Sequence, residues 1–221
     1  MKVHVITPRA MDGNIFLLED DKFLLVDAGT GMNSQDQIEQ IRAIMAASGR
    51  PEEEQLVDSL VLTHYHFDHS GGARALKEAF SCKVLVHQTE LDALRDGDSK
   101  ETGASMFFAS QSSVEAEPLD MDSPLVTGEA QFRLLHTPGH SRGSICLFDE
   151  ATAVLFSGDT VFPGGGIGRW DLAGGDHSQL VESIQTLSGL EVSHIYAGHG
   201  PVVMDRGKES IRSSLMNVGF F

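Results

Sequence analysis

The chain has 221 residues, of which 41% are apolar, and this length is sufficient to bury a substantial hydrophobic core. It carries 32 acidic and 16 basic residues, a formal net charge of −16, and contains no basic run. Because nucleic acids and anionic membrane surfaces are bound largely through lysine and arginine, this balance argues against both as partners and predicts a small-molecule substrate.

The first part of the chain is predicted to form strands followed by a helix. Apolar runs bounded by turn residues indicate three strands, at residues 3–5, 14–18 and 23–26. Ser34 and Gln37 form a capping-box pattern, and apolar residues at helical spacing follow it. Pro51 marks the end of this helix.

The middle of the chain repeats the alternation of strands and helices. Strands are predicted at 60–62 and 84–86, and helices at 71–80 and 90–95. Residues 96–124 are polar and lack periodicity, so we expect a long loop with one helical turn. Loops of this length are more often functional than neutral, and a lid over a site is one interpretation.

The last part contains strands predicted at 130–136, 144–148, 153–157 and 193–197. A glycine-rich loop at 163–175 leads into a helix that begins near Asp176, and another helix closes the chain. Strands and helices alternate in both halves, which predicts an α/β fold with two mixed β-sheets face to face and helices on the outer faces. No linker composition interrupts the chain, so a single domain is expected over residues 1–221.

Cys82 and Cys146 lie in apolar, strand-like stretches and are predicted to be buried free thiols. The N-terminus lacks the apolar core of a signal peptide, and no segment approaches the ~20 apolar residues of a membrane span. These observations predict a soluble, cytoplasmic protein. Its oligomeric state is left open, since no interface stripe is apparent.

The strongest chemical signal is the run His64-Tyr65-His66-Phe67-Asp68-His69, which directly follows a buried strand. Imidazole and carboxylate are the side chains that bind zinc and similar ions. Residues 64–69 are predicted to form a loop at the end of this strand. In such a loop the side chains of His64 and His66 can converge on one ion, while those of Asp68 and His69 can turn toward a second. The glycines that follow allow a tight turn into the next helix.

Three further ligand-type residues lie beside glycine at predicted strand ends. They are His140 after Gly139, Asp159 after Gly158, and His199 after Gly198. Together with residues 64–69, they indicate one metal pocket at the edge of a pair of sheets.

This set of motifs, with Val26-Asp27-Ala28-Gly29 early in the chain, resembles the metallo-β-lactamase superfamily over nearly the whole sequence. The resemblance implies an αβ/βα four-layer sandwich and a dinuclear site. It assigns His64, His66 and His140 to the first metal, Asp68, His69 and His199 to the second, and Asp159 to a bridge between them. The implied cofactors are two divalent ions per chain, with zinc as the first expectation and iron or manganese as alternatives.

Three local features refine the resemblance. The antibiotic-degrading lactamases lack an aspartate at the position of Asp159, so a lactamase is disfavoured. Residues 166–172, which include Gly168-Arg169-Trp170-Asp171, resemble the Gly-Arg-x-Asp stretch of glyoxalase II-like hydrolases and persulfide dioxygenases. Gly200-Pro201 follows His199 in place of the tyrosine-bearing stretch of glyoxalase II, so the involvement of glutathione is left open.

The resemblance implies hydrolysis of a thioester or related ester by a hydroxide shared between two ions. Asp68 and Asp159 are the predicted catalytic carboxylates, with Asp68 orienting the water or carrying a proton. Arg169 is expected to hold an anionic end of the substrate, and Phe67, Phe162 and Trp170 to line the mouth of the site.

Other chemistries remain as alternatives. A mononuclear iron dioxygenase acting on a thiol persulfide would use His64, His140 and Asp159. A lactonase and an RNA-processing nuclease are lesser alternatives, and the acidic charge argues against the second. Gly139-His140-Ser141-Arg142-Gly143 fits a nucleophile elbow in spelling only, because a strand rather than a helix is predicted to follow it. Most other histidines are interpreted as structural, namely His4, His136, His177 and His194, while His87 could support the metal ligands.

Overall fold

The computed structural model describes residues 1–219 and divides into two compact units. The first contains residues 1–119 and 127–129, and the second contains residues 120–126 together with residues from 130 onward. The expected single domain stays a prediction, and each unit is considered by itself.

The first unit is built on a six-stranded mixed sheet. Its strands, in their spatial order, are β1 (Lys2–Ile6), β2 (Ile15–Glu19), β3 (Phe23–Val26), β4 (Val57–Val61), β5 (Lys83–Val86) and β6 (Glu117–Pro118). The first three are antiparallel neighbours, whereas β3 to β6 pair in parallel. Strands β2 and β3 are almost entirely buried, as expected for continuous apolar runs.

Four helices accompany this sheet, namely α1 (Ser34–Ala47), α2 (Phe67–Ser70), α3 (Ala73–Phe80) and α4 (Leu91–Asp96). Short 3₁₀ turns cover Glu52–Glu54, Gln88–Glu90 and Ala104–Phe107. Ile41 and Met45 of α1 and Leu76 of α3 join the strands in one apolar core. Helix burial thus follows the apolar stripes of the sequence.

The second unit contains a five-stranded mixed sheet and a small hairpin. The sheet order is β13 (His194–Ala197), β10 (Val154–Gly158), β9 (Ile145–Asp149), β8 (Gln131–His136) and β7 (Leu125–Val126), and the hairpin pairs β11 (Val161–Phe162) with β12 (Gly166–Ile167). Strands β10 and β13 are parallel, and the remaining pairs are antiparallel. Helices α5 (His177–Ser188) and α6 (Gly207–Val218) complete the unit, with a 3₁₀ turn at Pro163–Gly165.

Local structure differs from the predictions in three respects. Residues 67–69 were predicted as part of a loop after β4, but they belong to the short helix α2. The capping box at Ser34 is wrong, because Asn33 precedes the helix and no side chain caps it; Gln37 instead donates a hydrogen bond to Asp12. The two-residue strands β6, β7, β11 and β12 were not predicted, since so short a pairing leaves no periodicity. The helical turn expected within residues 96–124 is present at Ala104–Phe107.

Within the described part of the chain, no helix has the length and apolarity required to cross a membrane.

Candidate metal centre

Four predicted ligands lie in the loop and short helix that follow β4. His66 precedes α2, and the helical turn at residues 67–70 carries Asp68 and His69, of which His69 lies close to His64. The ring centroid of His64 lies 4.8 Å from that of His66 and 4.3 Å from that of His69. The Nε2 atom of His69 is 3.8 Å from Oδ2 of Asp68. The three histidines are buried, whereas Asp68 is partly exposed.

Asp27 supports this cluster from the end of the neighbouring strand. Because β3 and β4 are parallel, the residue after β3 lies beside the loop that follows β4. The carboxylate of Asp27 accepts hydrogen bonds from Thr63, at 2.8 Å for the backbone N–H, and lies 2.8 Å from Nδ1 of His69. An oxygen partner on Nδ1 fixes the ring and directs Nε2 as the metal ligand.

Gly13 packs directly against the ring of His69. A Cβ atom at this glycine would lie 2.6 Å from Cε1 and 2.8 Å from Nε2 of the imidazole. The backbone N–H of Gly13 also donates to the carbonyl of Asp68 at 2.9 Å. Asp12 anchors this loop by accepting hydrogen bonds from Thr30 and Gln37. The loop before β2 therefore contacts two predicted ligands, the ring of His69 and the backbone of Asp68.

The second unit carries its three predicted ligands at one edge of its sheet. His140 follows β8, Asp159 follows β10 and His199 follows β13. Strand β9 is antiparallel to both β8 and β10, and β13 is parallel to β10, so β8, β10 and β13 all end at the same edge. The topology thus gathers residues that are far apart in the sequence.

Asp159 lies between the two histidines of this edge. Its Oδ2 atom is 3.5 Å from Nε2 of His140 and 3.5 Å from Nε2 of His199. Asp159 and His140 are buried, whereas the side chain of His199 is 40% exposed. One carboxylate thus faces two imidazoles that the family resemblance assigns to different metals.

The glycine-rich loop orients His140 through its backbone. Nδ1 of His140 lies 2.7 Å from the carbonyl oxygen of Arg169, so Nε2 is the nitrogen directed toward Asp159. Gly168 permits this approach, because a Cβ there would lie 1.9 Å from the carbonyl oxygen of Asp159. The predicted Gly-Arg-x-Asp stretch therefore contributes a main-chain contact to the site.

The side chain of Arg169 has a partner within its own loop. Its guanidinium donates two hydrogen bonds to Asp171, at 2.7 and 2.8 Å. These bonds lower the pKa of Asp171 to about 2 and raise the pKa of Arg169. The predicted role of Arg169 in binding an anionic substrate would require this exposed ion pair to open or to be shared.

The predicted aromatic contacts have two different surroundings. The ring of Phe162 meets that of His199 edge-on, with centroids 6.0 Å apart. Trp170 packs against the apolar core of the second unit and lies 4.7 Å from the ring of His177. Phe162 therefore touches a predicted ligand, whereas Trp170 packs at the base of its loop.

The remaining histidines and the cysteines have local environments. His4 pairs with Glu19, and His136, His177 and His194 each contact a backbone atom, as expected for structural histidines. His87 is buried and bonds to Thr89. Both cysteines are buried free thiols, as predicted.

The donor chemistry of both clusters fits a metal ion. Imidazole and carboxylate donors accept zinc, iron and manganese. Bond lengths of about 2.0–2.2 Å in a tetrahedral site place two ligand atoms of one ion about 3.3 Å apart. The two distances of 3.5 Å at Asp159 match that spacing.

Comparison with known proteins agrees with this chemistry. Residues 8–199 match the metallo-beta-lactamase superfamily. The chain is 31% identical over 198 residues to the probable metallo-hydrolase MJ0888 of Methanocaldococcus jannaschii, covering 86% of this chain and 88% of that protein. It is 32% identical over 210 residues to the acyl-coenzyme A thioesterase MBLAC2 of Gallus gallus, covering 84% of this chain and 72% of the relative.

Solved structures give the same assignment. A di-iron-bound form of TTHA1623 superposes with a TM-score of 0.74 at 28% identity and covers 97% of both chains. The B3 metallo-beta-lactamase BLEG-1 gives a TM-score of 0.73 at 29% identity, covering 94% of this chain and 96% of that one. The chain belongs to the metallo-beta-lactamase superfamily. The predicted fold and the predicted class, a metal-binding hydrolase, are thereby confirmed.

Proposed function

We propose that the chain is a dinuclear metallo-hydrolase that cleaves acyl thioesters. In this proposal the histidine cluster of the first unit and the strand-end ligands of the second act on one pair of ions. The first ion would be held by His64, His66 and His140, and the second by Asp68, His69 and His199. Asp159 would bridge the two ions.

The position of Asp159 is the observation that supports this proposal most directly. Its Oδ2 atom is equidistant, at 3.5 Å, from nitrogen atoms that are assigned to different ions. A single oxygen with this placement suits a shared anionic ligand, because it neutralises part of the charge of two neighbouring cations.

The substrate class rests on the relatives and on the charge of the chain. MBLAC2 of Gallus gallus carries the name acyl-coenzyme A thioesterase. A thioester has an activated carbonyl and a good leaving group, so its hydrolysis needs no protein nucleophile. The net charge of −16 argues against a long polyanion such as a nucleic acid, because these are bound largely through lysine and arginine.

When bound, the two ions would lower the pKa of a shared water toward neutrality and polarise the carbonyl group. The carbon–oxygen bond forms as the carbon–sulfur bond breaks, giving a carboxylic acid and a thiol. Besides binding the second ion, the Asp68 carboxylate, which is partly exposed beside His69, would orient the attacking water or carry its proton to the leaving thiolate. Asp27 and the carbonyl of Arg169 hold two ligand rings in fixed orientations throughout.

Metal analysis of protein purified without added metal or chelator tests the dinuclear assignment. We expect close to two ions per chain. About one iron per chain, with oxygen consumption when a thiol persulfide is supplied, would favour the mononuclear dioxygenase instead.

The variant Asp159→Asn tests the bridging role. We expect it to lose at least one ion per chain and nearly all turnover of an acyl-coenzyme A thioester. Asp149→Asn is a matched control, because Asp149 is a buried aspartate at the end of β9 away from the proposed ligands, and it accepts hydrogen bonds from Ala151 and Thr152 in the following turn. A D159N protein that keeps both ions and full activity would contradict the proposal.

A substrate panel separates the related reactions. Acyl-coenzyme A thioesters, an acyl-glutathione thioester, a lactone and a chromogenic β-lactam should be compared at equal concentration. We expect acyl-coenzyme A to have the highest kcat/KM. Faster hydrolysis of the β-lactam would instead extend the similarity with BLEG-1 to activity and remove the thioesterase assignment.

A further inference from the structure

Three neighbouring strands of the second unit carry buried polar side chains just behind the ligand loops. Thr137 follows β8, Cys146 lies near the start of β9, and Thr160 lies just after β10. The hydroxyl oxygens of Thr137 and Thr160 are 3.1 Å apart, and the Cys146 sulfur lies 3.4 Å from the first and 3.7 Å from the second. All three residues have no solvent exposure. They form a closed triangle of contacts, which we call the hydroxyl–thiol triangle.

This triangle lies against an apolar core and has two further polar contacts, since Thr137 Oγ1 lies 3.4 Å from the carbonyl oxygen of Ser144 and Cys146 Sγ lies 3.5 Å from that of Ser157. Cys146 belongs to a core that includes Leu155, Leu180 and Ile184. Burying a hydroxyl in such surroundings is unfavourable unless it is hydrogen-bonded, and valine would fill the same volume without that cost. Stability alone therefore does not explain two threonines at these positions. The segments that their mutual hydrogen bond connects indicate a different role.

The triangle connects the two ligand loops at their bases. Thr160 directly follows Asp159, and Thr137 begins the turn that carries His140. The backbone N–H of Thr137 donates to Ser144 across this turn, and that of Thr160 donates to Ser157. The contact between the two hydroxyl oxygens therefore links the end of β8 to the end of β10, the two strands on either side of β9. It joins the residue that begins the turn of His140 to the residue that follows Asp159.

We propose that Thr137 and Thr160, with Cys146 between their strands, are positioning residues that set the separation of His140 and Asp159. The proposal rests on the proposed function, since it assumes that both ligands bind the metal pair. The 3.5 Å distance between His140 Nε2 and Asp159 Oδ2 is then maintained by a contact deep in the core as well as by the ions.

Isosteric variants test this role. Thr137→Val, Thr160→Val and the double variant remove the hydroxyl contact while keeping the volume. Metal affinity is measured by competition with a chelator, alongside the Tm of each metal-free protein. Loss of an outer partner of metal ligands weakens metal binding by about 10- to 100-fold, and we expect about tenfold here. Because both substitutions break the same hydroxyl contact, the double variant should bind metal about as tightly as either single variant.

Controls separate positioning from general stability. Thr127→Val removes another buried hydroxyl bond, to Asp20 in the first unit, and should lower Tm without changing metal affinity. Thr137→Ser and Thr160→Ser retain the hydroxyls and should restore the affinity. If a valine variant does not fold, metal affinity is measured on Cys146→Ala instead. This substitution removes the sulfur contacts with both threonines without changing a residue of either ligand loop. We expect a smaller loss of metal affinity than in the valine variants.

The outcomes distinguish this inference from the proposed function. Valine variants that bind metal as tightly as the wild type overturn the positioning role and leave the proposed function intact. An equal loss of affinity in T127V also overturns it, since the effect would then be general. A wild-type protein that binds no metal in this assay overturns the proposed function and this inference with it. The cobalt-substituted protein gives a second readout, because a changed separation of the ligands should shift its visible absorption bands.

Discussion

Gly13→Ala should displace the ring of His69, a proposed metal ligand, by adding a single methyl group. The new Cβ would lie 2.6 Å from Cε1 of His69, whereas a normal carbon–carbon contact is about 3.6 Å. The ring and the loop must therefore separate by about 1 Å. Asp12 holds the loop through buried hydrogen bonds, so the ring is the part that yields. A shift of this size would lengthen the 2.8 Å contact between His69 and Asp27 beyond hydrogen-bonding distance.

We expect this overpacking to cost about 1–3 kcal/mol of stability and to weaken binding of the second ion by about 10- to 100-fold. The assay is metal content after dialysis against a weak chelator, with the Tm of the metal-free protein recorded in parallel. Gly13 does not have a positive φ, so the effect is steric. Gly189→Ala is the control, because its Cβ would meet its nearest neighbour at an ordinary 3.5 Å. A G13A protein that retains two ions with wild-type affinity would refute the reasoning.

Three further predictions follow from the structure. Asp27→Asn withdraws one carboxylate oxygen from the bonds that orient its histidine partner and should weaken metal binding about tenfold in the same chelator competition. Burial raises the pKa values of Cys82 and Cys146 to about 11, so iodoacetamide at pH 8 should label neither thiol in the folded protein and both in denaturant, as counted by mass spectrometry. The hydrogen bonds from Arg169 lower the pKa of Asp171 to about 2. A carboxyl group whose pKa is lower in the folded than in the unfolded protein stabilises the fold at pH values above the unfolded pKa. This small contribution should therefore be present at neutral pH and disappear between about pH 4 and pH 2. An unshifted pKa in an NMR titration of the Asp171 carboxyl carbon would contradict it.

The sequence was sufficient to predict most of the strands and the residues with ligand chemistry. Continuous apolar runs predict strands such as β3 and β10, because strands buried on both faces leave no polar alternation. The cluster at residues 64–69 is recognisable because its spacing is local. Strands of two residues, such as β6 and β12, carry no such signal, and their pairing depends on the partner strand.

The supporting residues of the site could not be predicted from local patterns. Asp27 was visible as an acidic residue after a buried strand, but its role depends on the parallel pairing of β3 with β4, which brings Thr63 and His69 to it. Gly13 has even less signal, since a single glycine in a loop has no periodicity. Only the contact with the ring of His69 shows why a side chain there is excluded.

Two strand ends of the second unit carry fully buried threonines, Thr137 and Thr160. A core designed only for stability would favour valine at positions 137 and 160, since valine avoids a buried hydroxyl. The proposed site, which would hold two ligands at a fixed distance, has a different requirement, because apolar contacts are non-directional and a hydrogen bond is directional. The contact between Thr137 and Thr160 supplies that direction. The main-chain contact between His140 and Arg169 acts in the same way on the ring. The proposed metal-binding edge thus combines directed polar contacts with an apolar core behind it.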